Sequence, residues 1–194
     1  MKKLLAVLAA LFAVTLVGAC GNDNMDGMDH GKSTPPSTKE AADHNAADVT
    51  FAQEMIPHHA QAITMAKVAA TNAADPKVKD LAKRIEDAQD PEIKTMSDWL
   101  KAWGEDVPAS DMGGMDHGSM PGMMSSSEMA ALEKAAGAEF DKMFLQMMIR
   151  HHEGAIEMAK TEQSSGKSTD AKKLAGEIEK AQTAEITEMQ GLLG

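Results

Sequence analysis

Residues 51–67 read FAQEMIPHHAQAITMAK, and residues 144–160 read FLQMMIRHHEGAIEMAK. The two segments are 93 residues apart, and the match extends without a gap between residues 48–100 and residues 141–193. Over that length 23 of 53 aligned positions are identical, far more than shared composition would produce. The chain therefore contains an internal duplication.

Apolar residues in each copy repeat with the spacing of an α-helix. In the first copy one row steps by four and three residues: Phe51, Met55, His58, Ala62 and Met65. A second row lies beside it: Ala52, Ile56, His59, Ile63 and Ala66. Both histidines thus lie on the apolar face of a predicted helix. Because an unpaired buried polar group costs about 1–3 kcal/mol, we expect them to have partners.

A second periodic segment follows in each copy. It contains Leu81, Ile85, Ala88, Glu92, Met96 and Trp99, matched by Leu174, Ile178, Ala181, Glu185, Met189 and Leu192. Glu92 and Glu185 occupy positions that should be apolar, and Gln89 and Gln182 lie one turn earlier on the same side. These side chains are the expected partners of the histidines. Two such helical hairpins predict an all-α four-helix bundle.

Helix ends can be assigned from capping residues. Asn45 with Asp48 begins helix one, Asp75 precedes Pro76 at the start of helix two, and Gly104 ends it. The predicted bundle spans residues 45–193, with hairpins at 45–103 and 126–193 joined by a Met-rich linker at 104–125.

Two further local features can be read from the sequence. Ser125 and Glu128 form a predicted capping box for a third helix that continues through Gly137 to about residue 160. Pro57 should kink helix one just before the histidines, where the second copy has Arg150. We therefore expect two half-sites that are not equivalent.

The N-terminus has the pattern of an exported lipoprotein. Residues 1–19 contain two lysines and a long apolar run, as in a signal peptide, and LVGAC at residues 16–20 resembles a lipobox. Cys20, the only cysteine, lies where lipidation requires it. Residues 20–44 are rich in small and polar residues and predict a flexible tether to the membrane. We expect a protein anchored to the cell membrane and facing the extracellular or periplasmic side.

Composition restricts the classes of partner. The net charge of −11 argues against nucleic acid and suits a protein that binds cations. The chain contains 17 methionines, several of them in Gly-rich segments without a core to fill. The tether carries a Met/His motif at residues 25–31. The Met-rich linker at 104–125 contains the candidate ligands Met112, Met115, His117, Met120, Met123 and Met124.

Methionine lies three residues before the histidine pair in both copies. At that spacing a helix brings the two side chains together, and a thioether in place of a carboxylate favours copper or silver over iron or manganese. The candidate bundle ligands are His58, His59, His151, His152, Met55, Met148, Met65, Met158, Glu92 and Glu185. Met65 and Met158 fit a role in core packing at least as well. Adjacent histidines diverge by about 100°, so one of each pair is expected to ligate while Gln or Glu holds the other.

Acid should distinguish the two kinds of ligand. Imidazole binds a metal only when neutral, so binding by the bundle histidines is expected to weaken below a pH of about 6.5. Thioethers carry no proton and should still bind Cu(I) at lower pH.

The pattern Asp-x-x-Phe-x-x-x-Met-Ile-x-His-His-x-x-Ala-Ile-x-Met-Ala, followed by Ile-x-x-x-Gln-x-x-Glu-Ile-x-x-Met, resembles the bacterial family called domain of unknown function 305. The resemblance implies a ferritin-like four-helix fold, export, and an association with copper binding and copper resistance. It also implies that the bundle candidates are functional residues, together with Asp48, Asp141, Gln89 and Gln182. The Met-rich segment at 111–124 is not part of the shared motif.

The sequence thus predicts a membrane-anchored protein that binds Cu(I) or Cu(II), and silver as an analogue, in order to buffer, sequester or transfer copper. A copper-transport protein is one expected partner, and self-association is another. We do not expect an enzyme. The alternatives are a ferritin-like metal oxidase and a protein-interaction bundle whose histidines are structural.

Overall fold

The computed structural model describes residues 43–109 and 120–194. Within these ranges the chain is helical, apart from connecting segments and one isolated bridge between Ala73 and Gly137. The helices are α1 (Ala46–Asn72), α2 (Pro76–Trp103), α3 (Ser126–Lys134), α4 (Gly137–Ser165) and α5 (Thr169–Leu193). None of these helices is long and apolar enough to cross a membrane.

The predicted caps of the first hairpin are confirmed. Asn45 and Asp48 form a reciprocal capping box at the start of α1. The Asp75 side chain accepts from the amide of Lys77 at the start of α2, and Gly104, with φ of 78°, ends that helix. Helix α1 continues on both sides of Pro57, so the proline removes one hydrogen bond without dividing the element.

The third predicted helix is in fact two, and its continuation through Gly137 is wrong. Helix α3 ends at Lys134, two extended residues follow, and α4 starts at Gly137, whose φ is 65°. The Asn72 side chain, at the end of α1, donates to the carbonyls of Glu133 and Ala135 at 3.0 and 2.9 Å. These bonds satisfy carbonyls freed by the break, and glycine tolerates the left-handed backbone conformation that follows.

Two antiparallel hairpins, α1–α2 and α4–α5, form the bundle and meet mainly along α1 and α4. An aspartate from each hairpin holds the turn of the other. Asp48 accepts hydrogen bonds from the amides of Lys167 and Ser168, at 2.9 to 3.1 Å, in the α4–α5 turn. Asp141 accepts at 3.0 and 2.9 Å from the amides of the equivalent residues 74 and 75 in the α1–α2 turn. This exchange makes the duplication visible as pseudo-twofold symmetry.

The buried apolar side chains form two clusters. One contains Met65, Leu81, Ile85, Phe140, Phe144 and Met148. The other contains Phe51, Met55, Met96, Leu100, Met158 and Ile178. The four histidines of the two motifs, at positions 58, 59, 151 and 152, are fully buried but belong to neither cluster. In sequence they lie between the cluster residues of α1 and of α4. The bundle therefore has a polar layer in its core.

One detail of the periodic apolar rows predicted for α2 and α5 is wrong. Ala88 and Ala181 are exposed, whereas Gln89 and Gln182 are buried. The buried row of each helix thus passes through a glutamine beside the histidine layer. Both rows continue to the methionine expected at their far ends, Met96 and Met189.

Candidate metal-binding centre

His58 and His151 meet at the centre of the bundle. Their ring centroids are 3.7 Å apart and the ring planes are inclined by 36°. They occupy equivalent positions in the two copies, on α1 and α4, and neither exposes any surface to solvent. The duplication therefore produces a pair of imidazoles on the pseudo-twofold axis.

The second histidine of each motif turns toward its own hairpin. Nε2 of His59 donates to Oε2 of Glu92, and Nε2 of His152 donates to Oε2 of Glu185, both at 2.7 Å. The glutamate side chains are about one-fifth exposed, while the imidazoles are fully buried. The expectation that one histidine of each pair would be held across the hairpin is confirmed, and the holding group is the glutamate.

Oxygen acceptors determine which nitrogen of each ring carries the proton. Nε2 of His58 donates to the carbonyl oxygen of Pro121 at 3.1 Å. Because carbonyls and carboxylates accept, the neutral form of His58, His59 or His152 has its lone pair on Nδ1. Those three Nδ1 atoms, and both ring nitrogens of His151, are buried without a hydrogen-bond partner. Such atoms are costly in a core, and each lone pair could serve a bound metal ion.

Burial keeps the central pair uncharged. Desolvation, followed by the charge of neighbouring His59, lowers the pKa of His58 to about 3. Desolvation, followed by the neighbouring His58 and His152, lowers the pKa of His151 well below its usual value. Burial thus favours the neutral form of both rings, while the acid response expected of the histidine ligands stays a prediction.

The sequence profile described as Domain of unknown function (DUF305) matches residues 48–193. The chain belongs to the DUF305 family. A DUF305 protein from Streptomyces coelicolor, described as secreted, has 34% identity and a TM-score of 0.70, covering 79% of this chain and 94% of that one. A DUF305 fragment from Deinococcus radiodurans has 31% identity and a TM-score of 0.69, covering 77% and 97%.

CopM in its Cu(II)-bound form has 35% identity and a TM-score of 0.66, covering 75% of this chain and 95% of CopM. CopM has also been solved in Cu(I)-bound, Ag-bound and apo forms. Comparison with curated proteins gives no match.

The candidate methionines of this DUF305 chain are distributed around the histidine layer. Met55 and Met158 belong to one apolar cluster, and Met65 and Met148 to the other. Met123 and Met124 are buried and Met120 is half-buried. The remaining candidates, Met112, Met115, His117 and Cys20, lie outside the described residues, as do the signal peptide and nearly all of the tether.

Carboxylates and imidazoles alone do not form a metal-binding cluster in residues 43–109 and 120–194, where no three His, Cys, Asp or Glu side chains are arranged to hold an ion. The predicted supporting residues do not bind the histidines. Gln89 is buried with both amide atoms unpaired, while Asp48 and Asp141 hold the hairpin turns.

A cavity of about 390 Å³ lies between α1 and α4, and none of the four motif histidines lines it. Its lining includes Phe51, Glu54, Met158, Glu162 and Pro121, the residue whose carbonyl contacts His58. Burial, followed by the neighbouring Asp48 carboxylate, raises the pKa of Glu162 to about 8. The first copy has alanine at the equivalent position, so this acid belongs to one half of the bundle only.

Sequence reasoning named Met123 and Met124 as candidate ligands but did not predict that their segment packs over the histidine pair. Residues 121–124, here called the strap, cross α1 and α4 with Gln61 and Gly154 as contacts. Gln61 and Gly154 are equivalent positions at which the two copies differ. Divergence next to an otherwise shared motif is the signal that could have identified the strap.

Proposed function

We propose that this protein binds copper ions as cargo outside the cytoplasm and buffers, sequesters or transfers them. The central observation is the pair of fully buried imidazoles, His58 and His151, with ring centroids 3.7 Å apart and three of their four nitrogens unpartnered. Buried polar groups in proteins are nearly always satisfied. A soft metal ion bound by lone pairs in this layer would satisfy one nitrogen of each ring.

The chemistry of the side chains supports copper. Imidazole binds both Cu(I) and Cu(II), and thioethers prefer Cu(I) and silver. Met55 and Met148 lie one turn before the central histidines. Because burial lowers the pKa of both central histidines, they can bind an ion without first losing a proton. CopM, which shares 33–35% identity with this chain, has been solved with Cu(II), Cu(I) and Ag bound, and this supports the same cargo here.

The proposed location follows from the N-terminal sequence. A lipid on Cys20 would anchor the protein to the cell membrane, and residues 20–44 would give the bundle reach toward a copper-transport partner or a second copy. We expect Cys20→Ser to release the protein from the membrane fraction or to leave it unprocessed. Wild-type protein that is found free and unmodified at Cys20 would exclude the anchor.

Binding without turnover is part of the proposal. A cargo protein takes up a fixed number of ions, whereas a ferritin-like oxidase would consume oxygen continuously with Cu(I) or Fe(II). Oxygen-electrode measurements with excess Cu(I) distinguish the two, because stoichiometric uptake ends and catalysis continues.

The site is tested by a Cu(I) competition titration at pH 7. Replacing His58 and His151 together by Ala should weaken binding to the bundle tenfold or more, as the loss of ligands requires. His44→Ala is the matched control, since His44 stacks on Trp103 and does not contact the central pair. Equal affinity for the double variant and the wild type, with no shift of melting temperature on adding copper, would make the histidine layer structural.

A further inference from the structure

The strap, residues 121–124, is fixed to α1 by a buried amide. Nε2 of Gln61 donates to the carbonyl of Met124 at 2.9 Å, and Oε1 of Gln61 accepts from the amide of Met124 at 2.7 Å. One side chain thus replaces the backbone partners that Met124 would have in a helix or sheet. Nη2 of Arg150, on α4, also lies 2.7 Å from the Met124 sulfur.

On its other side the strap lies against the backbone of α4. A Cβ added to Gly154 would lie 2.1 Å from the carbonyl oxygen of Pro121 and 2.8 Å from Cα of Gly122. A Cβ on Gly122 would lie 2.6 Å from the carbonyl oxygen of Arg150. Gly122 also has a φ of 77°, which side chains disfavour. Contact this close is possible only because both residues are glycine.

The strap also contacts the proposed ligand directly, since the Pro121 carbonyl accepts from Nε2 of His58. With the strap in place, His58 and His151 have no solvent-exposed surface, so an ion in water cannot reach them. Some part of the fold must open. The strap is the irregular segment over this pair, whereas the bundle helices are held by long buried faces. Lifting these four residues exposes the buried Met123 and Met124 but leaves both helices folded, so this local opening costs less than global unfolding.

We propose that the strap is the gate of the histidine pair, and that an ion enters when residues 121–124 lift from Gln61 and Gly154. This inference rests on the proposed function for the identity of the ion, but not for the opening itself. Lifting frees Nε2 of His58 from the Pro121 carbonyl and connects the pair with the cavity that Pro121 lines. The gate also explains why Gln61 and Gly154 differ between copies that share the histidines: one strap crosses both helices and needs a different contact on each.

The test uses Gly154→Ala, whose methyl group would displace the strap, and Gln61→Leu, which removes both hydrogen bonds to Met124. Gly191→Ala is the control, because a Cβ there meets nothing within 4 Å. Stopped-flow mixing with Ag(I) should show uptake at the histidines at least tenfold faster in both strap variants and unchanged in the control. Wild-type rates in both strap variants, with native circular dichroism, would overturn the gate.

A second measurement needs no metal. Diethyl pyrocarbonate modifies accessible neutral imidazoles, and peptide mass spectrometry locates the modified residue. His58 and His151 should react at least tenfold faster in the strap variants than in the wild type and in Gly191→Ala. If Ag(I) and Cu(I) bind to none of the proteins while this acceleration is seen, the proposed function is wrong. The strap would still be shown to control access to the histidine pair. Unchanged modification rates would refute the proposal that the strap is a gate, whether or not metal binds. Gln61→Leu decides alone if Gly154→Ala does not fold.

Discussion

His58 and His151 stack across the pseudo-twofold axis with their ring centroids 3.7 Å apart, although both are buried and could repel each other if protonated. The fold therefore keeps two groups neutral that would be partly charged in the unfolded chain at pH 6. The consequence for stability can be measured.

Acid should destabilise the folded protein through this pair. The pKa of His58 is about 3 in the fold against about 6.5 when unfolded. As pH falls below 6.5 the unfolded chain gains a proton that the folded chain does not, so stability is lost progressively toward pH 3. For His58 the loss is on the order of 5 kcal/mol over the whole window. Urea unfolding of His58→Leu should show a flatter pH profile than wild type between pH 7 and 4; parallel profiles would contradict the assignment.

Glu162 should have the opposite effect at higher pH. Its pKa is raised to about 8 in the fold, so from about pH 4.5 upward the unfolded chain ionises first and stability falls until about pH 8. Glu162→Gln keeps the shape and removes the charge, and should raise the free energy of unfolding at pH 8.5 by about 1–3 kcal/mol. Glu157→Gln, exposed on the same helix, is the control and should change little. A variant that is no more stable than wild type at pH 8.5 would refute the prediction.

Asp48 and Asp141, which each bind the turn of the other hairpin, should contribute differently to the free energy of unfolding. Asp48 is fully buried and accepts from three backbone amides, including that of Asn45, while Asp141 is half-buried and accepts from two. Because hydrogen bonds to charged groups contribute about 1.5–3 kcal/mol each, Asp48→Ala should cost about 4.5 kcal/mol and Asp141→Ala about 3 kcal/mol at the lower end of that range. Denaturant unfolding of both variants gives the comparison. Equal losses would mean that burial of Asp48 cancels the extra bond.

The Met-rich linker should contribute copper capacity but not stability. Deleting residues 111–119 leaves Met120 and the strap intact, so we expect fewer Cu(I) equivalents bound at pH 7 and an unchanged melting temperature. Deleting residues 111–124 removes the Gln61 and Gly154 contacts as well and should lower the melting temperature. If the shorter deletion leaves the number of bound Cu(I) ions unaltered, the methionines before the strap are a linker only.

The sequence specified the helices and the histidine pairing well because both depend on local or repeated signals. Caps at Asn45 and Asp75 act within one turn, and the duplication identified Glu92 and Glu185 as partners of the histidines. The break before Gly137 was missed because it depends on Asn72, which is distant in sequence. The strap was missed for the same reason.

One error arose from burial, which a sequence pattern describes only approximately. The buried row of α2 passes through Gln89 and not Ala88, a shift of one residue that periodicity does not resolve. The acid response expected of the histidine ligands stays a prediction, and it used the pKa of free imidazole, whereas desolvation in the bundle lowers the pKa of His58 to about 3.

The crossed bonds of Asp48 and Asp141 have a consequence for the origin of the molecule. Each hairpin leaves the amides of its own turn to be satisfied by an aspartate of the other, so neither half is complete by itself. Two identical hairpins could have supplied this aspartate to each other as a symmetric homodimer. Gene fusion would then turn that dimer into one polypeptide. One half could acquire Gln61 and the other Gly154, while each half kept the aspartate that binds the turn of the other.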